Sequence, residues 1–570
     1  MSIDVTKKPL PVGQSFFDRV IKDGFYYVDK TLFIKDILDR KGAVTLCTRP
    51  RRFGKTLNQT MLKCFFEDTI PMNSGKNTRT LFSGLKIEAA GERYMDHQGK
   101  YPVIFLNFKE IKQDSFERSY EELKYCIAEE FVRHAYLAEK MPIGYDRDLF
   151  NKIVAHDGSF DDYSRSLMFL SKCLEKYYDK KVVILIDEYD VPLENSWSCP
   201  VRFYDKMVGF IRPLLSRALK DNPHLQLAVM TGCLRISKES IFTGLNNLEV
   251  ISILSDLYSE HFGFTQGEMD IMLAYYDLQS KTQILKDWYN GYLFGNTEVY
   301  NPWSSIRVVN NWTVNINRLP EPHWTNTSSN DIVRDLIENA NNKTKDGLET
   351  LLAGGTISAV VHEDMTYDEI HKNADNLWNF LFFTGYLKKV GTERQNVYGE
   401  LTMDLSIPNT ELMYIYKTKV KEWFDEKIAE KNLDALHNAV LSGDVETFQN
   451  ELSAVLAESI SYLDRAESLY HGVMIGVLMR INGYRLKSNR ESGNGRSDLV
   501  LYSADPKDDT AIIFEFKVAP KAKMLSKACM DALKQIDDMN YAAYWDEEDY
   551  KNIIKYGIGF YGKRCEIRKG

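Results

Sequence analysis

A chain of 570 residues is too long for a single hydrophobic core and is expected to fold as several domains. Its content of 44% apolar and 12% aromatic residues excludes a disordered chain, and its eight cysteines contain no CxxC pair, which argues against a disulfide framework and a zinc site. The net charge of −9 excludes a uniformly basic surface, so any contact with nucleic acid must come from local basic patches.

Membrane insertion and secretion are not expected. No uninterrupted apolar stretch approaches the roughly 18 residues that a membrane span needs. The N-terminus, MSIDVTKKPLPVG, lacks the apolar core of a signal peptide. Together with scattered cysteines, which are typical of reduced thiols, these features predict a cytoplasmic protein.

The region from Gly42 to about Val250 alternates apolar runs with helical patterns. Four runs are expected to be buried strands: GAVTLC (42–47), YPVIFLNF (101–108), KKVVILIDEYD (180–190) and LQLAVMTG (225–232). Near-continuous runs of Val, Ile and Leu that are separated by helices are typical of a parallel sheet covered on both faces. We therefore predict an α/β domain over residues 1–250.

The remaining residues are predicted to form four further parts. Residues 251–345 read as a mostly helical lid region with the aromatic segments WYNGYLFG and VYNPWS, residues 346–420 as a small winged-helix-like unit, and residues 421–464 as a helical connector. Residues 465–570 return to an α/β pattern, with the apolar runs SDLVLYS, AIIFEFKV and YGIGFYG and the helix ACMDALKQIDDM. The predicted fold class is therefore α/β, with a helical and winged-helix-like middle.

Residues 48–56, TRPRRFGKT, end like a phosphate-binding loop. In such loops, backbone N–H groups and a helix N-terminus face the anion, the lysine neutralises the β- and γ-phosphates, and the Ser or Thr binds Mg²⁺. Gly54, Lys55 and Thr56 have this context, with a strand before them and an amphipathic helix after them. The loop pattern G-x-x-x-x-G-K-[ST] has glycine where this chain has Arg49, so the tripeptide alone is equally compatible with an ordinary turn.

A second motif supports a nucleotide site. The strand VVILIDEYD ends in Asp187 and Glu188, the pattern expected of a magnesium-associated acid followed by a water-activating acid. An aspartate that caps a helix after a buried strand is the alternative interpretation. The two motifs in one chain predict a site for ATP or GTP with Mg²⁺.

Two more residues are expected at the same edge of the sheet. Thr231 ends the fourth predicted strand and Arg235 follows shortly after it. Because ligands bind at the carboxyl edge of parallel sheets, Thr231 could sense the γ-phosphate and Arg235 could reach it. The alternatives are a strand-end cap for Thr231 and a salt-bridged surface position for Arg235.

Several segments together resemble one protein family: YYVDKTLFIKDIL (26–38), TRPRRFGKTLN (48–58), ILIDEYDVPL (184–193), TGCLRISKESIFTGLNNLEV (231–250) and WYNGYLFG (288–295). They are similar to the AAA-ATPase-like family of bacteria and archaea, in which this block precedes a PD-(D/E)XK nuclease-like domain. The family also carries RPRRFGK in place of a glycine-rich loop. The resemblance implies nucleotide, magnesium and hydrolysis roles for Lys55, Thr56, Asp187 and Glu188, and an ATPase that acts as a switch rather than as a ring-forming unfoldase.

The arginines of the loop are expected to have a function. The proline after Arg49 restricts the backbone there, so this loop should be stiffer than a glycine-rich one. We predict that at least one of Arg49, Arg51 and Arg52 points at phosphate or at an acidic partner such as Asp187 or Glu188, and we assign Arg49 and Arg52 to the nucleotide site.

The C-terminal part carries a second candidate site. Strand side chains alternate, so Glu515 and Lys517 of AIIFEFKV share a face, and a hairpin turn at ADPKDD could bring Asp498 beside them. Two carboxylates and a lysine can hold Mg²⁺ against a phosphodiester oxygen and position the attacking water. A solvated cross-strand charge pair is the alternative, but burying these charges in an apolar strand without a purpose is costly. The layout resembles the PD-(D/E)XK nuclease core, with Ser497 at the position of the proline in that motif.

Neighbouring residues could complete this site. Glu467 could be a third metal ligand or a solvent-facing helix residue, and His471 is expected to be structural. Gln535 resembles the glutamine of a Q-x-x-x-Y motif, although Tyr541 lies further along the chain than usual. Seven basic residues cluster around this site and could supply the positive charge that phosphate contacts need, and a solvated charged rim is the alternative interpretation. They are Arg485, Lys487, Arg490, Arg496, Lys521, Lys523 and Lys527.

The leading functional hypothesis is a switch ATPase, with ATP and Mg²⁺ as cofactors, coupled to a magnesium-dependent nuclease domain that cleaves nucleic acid, with DNA favoured over RNA. One rival is a regulatory or nucleic-acid-binding ATPase whose nuclease-like domain does not cleave. Another is a signalling protein whose helical middle senses a protein partner, and a homo-oligomer is compatible with each. The complete set of Asp498, Glu515 and Lys517 favours cleavage, because a domain that only binds has no need of all three.

Overall fold

The computed structural model describes residues 7–69, 78–235, 242, 246–324, 342–352, 354–363, 367, 374–430, 432–458, 467–492, 495–505, 508–547 and 550–570. Within described elements, the side chains of Glu467, Arg490 and Arg496 also lie outside the description. The chain forms two compact units. Unit 1 contains Met1–Trp324 and Ser358–Leu412, and unit 2 contains Thr325–Ile357 and Met413–Gly570. The five domain boundaries predicted above stay predictions.

The first part of unit 1 is an α/β layer structure. In chain order its strands are β1 (Val44–Thr48), β2 (Val103–Asn107), β3 (Val182–Asp187), β4 (Leu225–Gly232) and β5 (Leu248–Ile251). Its helices are α1 (Phe17–Lys22), α2 (Leu32–Arg40), α3 (Lys55–Phe66), α4 (Lys86–Ala89), α5 (Glu92–Met95), α6 (Phe116–Arg133), α7 (Tyr136–Lys140), α8 (Tyr145–Val154), α9 (Phe160–Tyr178), α10 (Val191–Ser198) and α11 (Tyr204–Leu219).

These five strands form one parallel sheet in the order β2-β3-β4-β1-β5. All residues of β1 and β3 are buried, because α3 packs on β2, β3 and β4, while α6, α9 and α11 form a separate layer on the same strands. The predicted parallel sheet and its four strands are confirmed. Strand β5 was not predicted, since LEVI is too short and too polar to stand out. The carboxyl ends of β1, β2, β3 and β4 meet at one edge of the sheet.

The edge strand β2 is covered by charged side chains of α6. The Glu130 carboxylate accepts the N–H of Phe105 at 2.9 Å, and the carbonyl of Val103 accepts from Arg133 at 2.6 Å and lies 3.2 Å from Nε2 of His134. Arg133 also pairs with Glu130. Two of the backbone groups that this edge strand would offer to another strand, the N–H of Phe105 and the carbonyl of Val103, are therefore already bonded.

Residues 251–324 contain helices and a small sheet. The described helices are α12 (Gln266–Tyr275), α13 (Thr282–Tyr289) and α14 (Pro302–Val314). Strands β6 (Phe264–Thr265), β7 (Tyr292–Phe294) and β8 (Thr297–Tyr300) pair antiparallel in the order β6-β8-β7. The predicted helical middle is confirmed, and the aromatic segments that interrupt the helical pattern contribute to a small hairpin with a buried face.

The next part runs through both units. It contains α15 (Asn342–Leu352), β9 (Ile357–Val360), α16 (Ala374–Phe383), β10 (Lys388–Gln395) and β11 (Leu401–Ser406), and the three strands form a sheet in the order β10-β11-β9. The winged-helix-like interpretation of 346–420 stays a prediction, since parts of it (353, 364–366 and 368–373) lie outside the described residues. The helices α17 (Thr410–Glu430), α18 (Asp434–Ser442) and α19 (Val445–Glu458) follow, as the helical pattern predicts.

The C-terminal part of unit 2 is built on a mixed sheet. Its elements are α20 (Glu467–Leu478), β12 (Tyr484–Ser492), β13 (Gly495–Ser503), β14 (Thr510–Val518), α21 (Leu525–Asp538), α22 (Tyr541–Glu547), β15 (Asn552–Tyr561) and β16 (Arg564–Lys569). The strands lie in the order β12 to β16, with β14 and β15 parallel and the other pairs antiparallel. The predicted hairpin of β13 and β14 is confirmed.

Two glycines let α21 lie directly on β15. A Cβ atom at Gly557 would be 2.6 Å from the backbone nitrogen of Leu533, and one at Gly559 would be 2.6 Å from the carbonyl oxygen of Leu525. Real Cβ atoms essentially never approach other atoms so closely, so the helix can reach this position only because both residues lack a side chain. The close packing also fixes where Gln535 of α21 stands relative to the sheet.

Candidate active sites

The phosphate loop joins β1 to α3. The N–H of Arg49 donates to the carbonyl of Gly232 at 3.0 Å, which ties the start of the loop to the end of β4. Gly54 takes a left-handed conformation, with φ of 82°, and α3 begins at the next residue. Such a backbone suits glycine, and it leaves the first N–H groups of α3 directed toward the loop. This is the geometry that binds phosphate at a helix N-terminus.

Lys55 is buried inside this loop. Its Nζ donates to the carbonyls of Arg49 at 3.1 Å and Pro50 at 3.2 Å, and it lies 3.5 Å from Oε1 of Glu188. Burial lowers the pKa of Lys55, but four neighbouring groups raise it by more, so the pKa lies above its ordinary value and the ammonium stays charged. These groups are Cys233, Glu188, Asp190 and Asp187. A positive charge is therefore held where a phosphate would bind.

Asp187 is the centre of a hydrogen-bonded group at the sheet edge. Its Oδ2 accepts from Thr56 at 2.6 Å and from Asn107 at 2.9 Å, and its Oδ1 accepts from Thr231 at 2.5 Å. Burial, and then the charge of Glu188, raise the pKa of Asp187 to about 6. The structure thus brings together Thr56 and Asp187, whose oxygen atoms are the kind that Mg²⁺ prefers.

Glu188 adopts a backbone conformation that is uncommon for a residue with a side chain. Its φ is 55°, and its N–H donates to Oγ1 of Thr231 at 3.4 Å. Left-handed backbone at a non-glycine residue costs on the order of 1 kcal/mol and is concentrated at functional sites. The carboxylate lies near Nζ of Lys55, and the hydrolytic role of Glu188 stays a prediction.

The three arginines of the loop lie in three different environments. Arg49 is fully buried, and its guanidinium donates to the carbonyls of Thr48, Ile251 and Leu257 at 2.8–3.3 Å. This placement does not match the predicted contact between Arg49 and the nucleotide, because the guanidinium is sealed in the interior against backbone acceptors. The side chain holds the loop to β5 and the segment after it.

The other two arginines have partners on the loop's outer side. Arg51 pairs with Glu194 of α10 at 2.6 Å, so its partner is acidic but is neither Asp187 nor Glu188. Arg52, with φ of 71°, places its guanidinium carbon 3.9 Å from the ring centre of Trp303. None of the three arginines points into bulk solvent.

Arg235 lies next to the segment that follows β9. Its Nη1 is 4.0 Å from Oε2 of Glu363, and the other oxygen of Glu363 accepts from Ser252 at 2.6 Å. The described chain breaks off after Arg235, since residues 236–241 lie outside it. The role of Arg235 at the γ-phosphate stays a prediction.

The C-terminal residues come together on β13 and β14. Asp498 lies opposite Glu515, since the pairing of Leu499 with Phe514 extends to them. Oδ2 of Asp498 accepts the N–H of Phe516 at 2.8 Å, and Nζ of Lys517 is 3.7 Å from Oε1 of Glu515. Glu515 is 2% exposed, whereas a third of the Lys517 side chain is exposed. A buried carboxylate beside a second carboxylate and one lysine can hold a divalent cation.

Two segments match known family models. Residues 11–242 match a family described as predicted AAA-ATPase, and residues 465–570 match the PD-(D/E)XK nuclease superfamily. The chain joins an AAA-ATPase-like domain to a PD-(D/E)XK nuclease-superfamily domain. An uncharacterized protein in the vnfD 5'region of Azotobacter chroococcum mcd 1 is 25% identical over 552 residues, which cover 94% of each chain.

The AAA-ATPase-like domain contains polar residues at the sheet edge that the motifs did not reveal. Asp190 is buried and its Oδ2 accepts the N–H groups of Cys233 at 2.7 Å and Leu234 at 3.0 Å. Burial, and then Glu188, raise the pKa of Asp190 to about 7. Asn107, which binds Asp187, ends another parallel strand, so comparing the ends of all predicted strands could have found it.

The nuclease-superfamily domain has further polar residues beside its carboxylates. Gln535 donates to the hydroxyl of Tyr541 at 3.3 Å, and burial, together with the charges of Glu515 and Asp498, raises the pKa of Tyr541. The predicted association of Gln535 with Tyr541 is therefore present despite the long spacing. Nε2 of His471 lies 2.9 Å from the carbonyl oxygen of Asp498, so this histidine supports the backbone of β13.

Other predictions for this domain stay open. Glu467 begins α20, but its side chain is outside the description, and so are those of Arg490 and Arg496. The described part of the chain contains no cluster of three or more His, Cys, Asp and Glu side chains that could hold a metal ion. Exposed positive charge comes from Arg485, Lys521, Lys523 and Lys527, and Lys487 lies over the ring of Tyr502.

Within the described residues, no helix is long and apolar enough to cross a membrane. The predicted cytoplasmic location stays a prediction.

Proposed function

We propose that this protein is a nucleotide-controlled nuclease: the AAA-ATPase-like domain binds and hydrolyses ATP as a switch, and the C-terminal domain cleaves DNA with Mg²⁺. The observation that carries this proposal is the assembly of Asp498, Glu515 and Lys517 on two neighbouring strands. A domain that has lost cleavage has no reason to keep a carboxylate that is 2% exposed beside a second carboxylate and a lysine, because each buried charge destabilises the fold.

In the nuclease domain, Asp498 and Glu515 would hold Mg²⁺, and the bound ion supplies stabilisation of the developing phosphate charge and a more acidic water. Burial fixes the carboxylate of Glu515, and the backbone N–H of Phe516 fixes that of Asp498. Lys517 shares the face of Glu515 and reaches the solvent, so its ammonium can orient the attacking water and donate to a phosphate oxygen.

In the ATPase domain, phosphate oxygens would replace the carbonyls of Arg49 and Pro50 as acceptors for Lys55. Thr56 and Asp187 would hold Mg²⁺, which would supply positive charge to stabilise the phosphates. Glu188 would accept a proton from the attacking water, and its left-handed backbone, with φ of 55°, supports a functional role.

A nucleic-acid-binding domain that does not cleave is the second candidate. It is favoured by the hydrogen bonds that the carboxylates already accept: Oε2 of Glu515 accepts the N–H of Asp498 at 3.4 Å, and Asp498 accepts that of Phe516. Two carboxylates that are occupied in this way could serve the fold alone.

One experiment separates these two candidates. The full chain is incubated with supercoiled plasmid, linear DNA and RNA, with Mg²⁺ or with EDTA, and with and without ATP. We expect DNA cleavage that needs Mg²⁺ and that falls about a hundredfold or more in Lys517→Ala, because the variant loses a group that stabilises transition-state charge. The control is Lys551→Ala, which removes an exposed lysine of the same domain that pairs with Asp546.

Two results would contradict the cleavage proposal. Cleavage by Lys517→Ala at the wild-type rate would place the activity elsewhere. DNA that is bound but left intact under every condition would support the non-cleaving domain.

A further inference from the structure

Arg52 is a loop arginine whose guanidinium has a buried donor without a partner. The two terminal nitrogens of Arg49 donate to three carbonyls, although its buried Nε has no partner among the described residues, and Arg51 is paired with Glu194. Arg52 instead lies against the indole of Trp303, and its buried Nη1 has no hydrogen-bond partner among the described residues. A buried donor without an acceptor costs about 1–3 kcal/mol, so this arrangement needs an explanation.

A second arginine lies against the same indole. Arg307 follows Trp303 by one turn of α14, and its guanidinium carbon is 4.1 Å from the ring centre. The Nε atom of Arg307 is also buried and has no hydrogen-bond partner in the described part of the chain. One aromatic ring therefore contacts two guanidinium groups, and each of them has a donor without a partner among the described residues.

The positive charge of this pair is not balanced. Burial, and then the charge of Arg307, lower the pKa of Arg52 to about 10, so Arg52 is still charged at neutral pH. The acid that opposes Arg52 is Glu411. Its Oε1 accepts from Ser304 and from the N–H groups of His323 and Trp324, and its buried Oε2 has no partner among the described residues. Burial raises the pKa of Glu411 to about 7, so it carries only part of one negative charge at that pH.

The pair is distinct from the phosphate cradle around Lys55. Nζ of Lys55 donates to the carbonyls of Arg49 and Pro50 and lies near Glu188, whereas the guanidinium groups of Arg52 and Arg307 lie against Trp303. Arg307 also lies outside residues 11–242, which match the ATPase family model. This side of the loop is therefore built by the middle of the chain.

We propose that Arg52 and Arg307, which both lie against Trp303, form a second anion site that binds a phosphate group. The planar guanidinium fork matches two phosphate oxygens, and the indole face keeps both forks in place. The phosphate could come from a nucleotide bound at Lys55 or from free phosphate in solution. In the first case the inference rests on the proposed nucleotide site, and in the second it does not.

The test measures binding of inorganic phosphate and of ATP to the full chain by titration calorimetry. We expect Arg307→Gln to weaken binding of at least one of these ligands about tenfold or more, because a charge-assisted pair is lost. Arg307→Lys keeps the charge but loses the fork, and it should give a smaller loss in the same ligand. The matched control is Arg318→Gln, since Arg318 is half exposed and pairs with Glu321 near the same helix.

A Lys55→Ala variant distinguishes the two sources. Phosphate binding that persists in Lys55→Ala and is lost in Arg307→Gln identifies free phosphate as the ligand. ATP binding that weakens in both variants, without binding of inorganic phosphate, identifies the nucleotide. If both Arg307 variants bind phosphate and ATP like the wild type, the second site does not exist. That result leaves the Lys55 site intact, since Lys55→Ala would still lose ATP.

Discussion

At the scale of single residues, the loop arginines show what a motif can and cannot predict. The strand before the loop and the helix after it were predictable from local pattern, and so was the burial of a lysine between them. The direction of each arginine was not, because its partners come from distant parts of the chain: the carbonyl of Ile251 for Arg49, Glu194 for Arg51 and Trp303 for Arg52. A guanidinium binds carbonyls, carboxylates and aromatic faces alike, so only the fold decides which one it meets.

Glu411 should make the stability of unit 1 depend on pH. Its folded pKa of about 7 is above its ordinary value of 4.5, so between these values the folded state holds a proton that the unfolded state releases. Stability should therefore fall as the pH rises through this window, by up to roughly 1.4 kcal/mol per pH unit. Glu411→Gln removes this titration, so relative to the wild type it should be more stable at pH 8 than at pH 5.

The measurement is urea unfolding of both proteins at several pH values, followed by tryptophan fluorescence. Glu298→Gln is the control, since Glu298 is exposed in the same unit. Equal pH dependence of Glu411→Gln and the wild type would contradict the prediction.

At the scale of elements, the cover that α6 forms over β2 depends on one buried carboxylate. Burial would raise the pKa of Glu130, but Arg133 and His134 lower it to about 2. Since this is below the ordinary value of 4.5, the stabilisation is present above about pH 4.5 and is lost as the pH falls toward 2. Glu130→Gln should destabilise the folded chain by roughly 1–3 kcal/mol at neutral pH, because it removes one of the two acids that pair with Arg133, the other being Glu67.

Thermal unfolding of Glu130→Gln and Glu129→Gln provides a direct comparison. Glu129 is the adjacent residue on the exposed side of α6, and its substitution should change the free energy of unfolding little. If both variants unfold at the same temperature, the side chains of α6 do not support the edge strand.

The glycines of β15 determine how closely α21 can pack. Gly557→Ala would place a Cβ atom against the backbone of Leu533 and Cys529, and overpacking of this kind costs about 1–3 kcal/mol. We expect faster hydrogen exchange in α21 and β15, and weaker Mg²⁺ binding, because Gln535 and Tyr541 move with the helix. Gly209→Ala is the control, since a Cβ at this helical glycine meets no atom within 4 Å. Unchanged exchange in α21 would mean that the helix can shift at no cost.

At the scale of the whole molecule, the two candidate sites belong to different units. The nucleotide residues lie in unit 1 and the carboxylates of the nuclease domain in unit 2, while the chain crosses between the units after residues 324, 357 and 412. Glu411 accepts the N–H of Trp324. Trp324 is the last residue before the first crossing, and Glu411 lies just before the third, so this hydrogen bond joins the ends of two segments within unit 1. A nucleotide-dependent change near the loop could therefore reach the connecting segments through this residue.

Lys55→Ala tests the coupling that the proposal requires. The variant should bind ATP about tenfold or more weakly, since it loses a charge-assisted contact with phosphate, and its DNA cleavage should no longer respond to ATP. Its Mg²⁺-dependent cleavage without nucleotide should match that of the wild type. Lys109→Ala, at an exposed lysine of the same domain, should behave like the wild type in both assays. Unchanged ATP affinity in Lys55→Ala would mean that this loop does not bind the nucleotide.

The sequence predicted the parts of this architecture that depend on local pattern. Apolar runs identified four strands of the parallel sheet, and the polar turn after β13 predicted that Asp498 would lie beside Glu515. Strand β5 was not predicted because its polar Glu249 pairs with Arg40, a contact that no local pattern shows. The hairpin of β7 and β8 was not predicted because its aromatic residues are equally compatible with a helical region. The missed features all depend on contacts between residues that are far apart in the chain.

The covered edge of β2 has a consequence for the newly synthesised chain. Unpaired strand edges are sites of aggregation, and a long α/β domain exposes them while its later strands are still missing. Helix α6 follows β2 closely, so Glu130, Arg133 and His134 leave the ribosome soon after the edge that they cover. The edge of β2 can thus be partly closed to foreign strands soon after it forms.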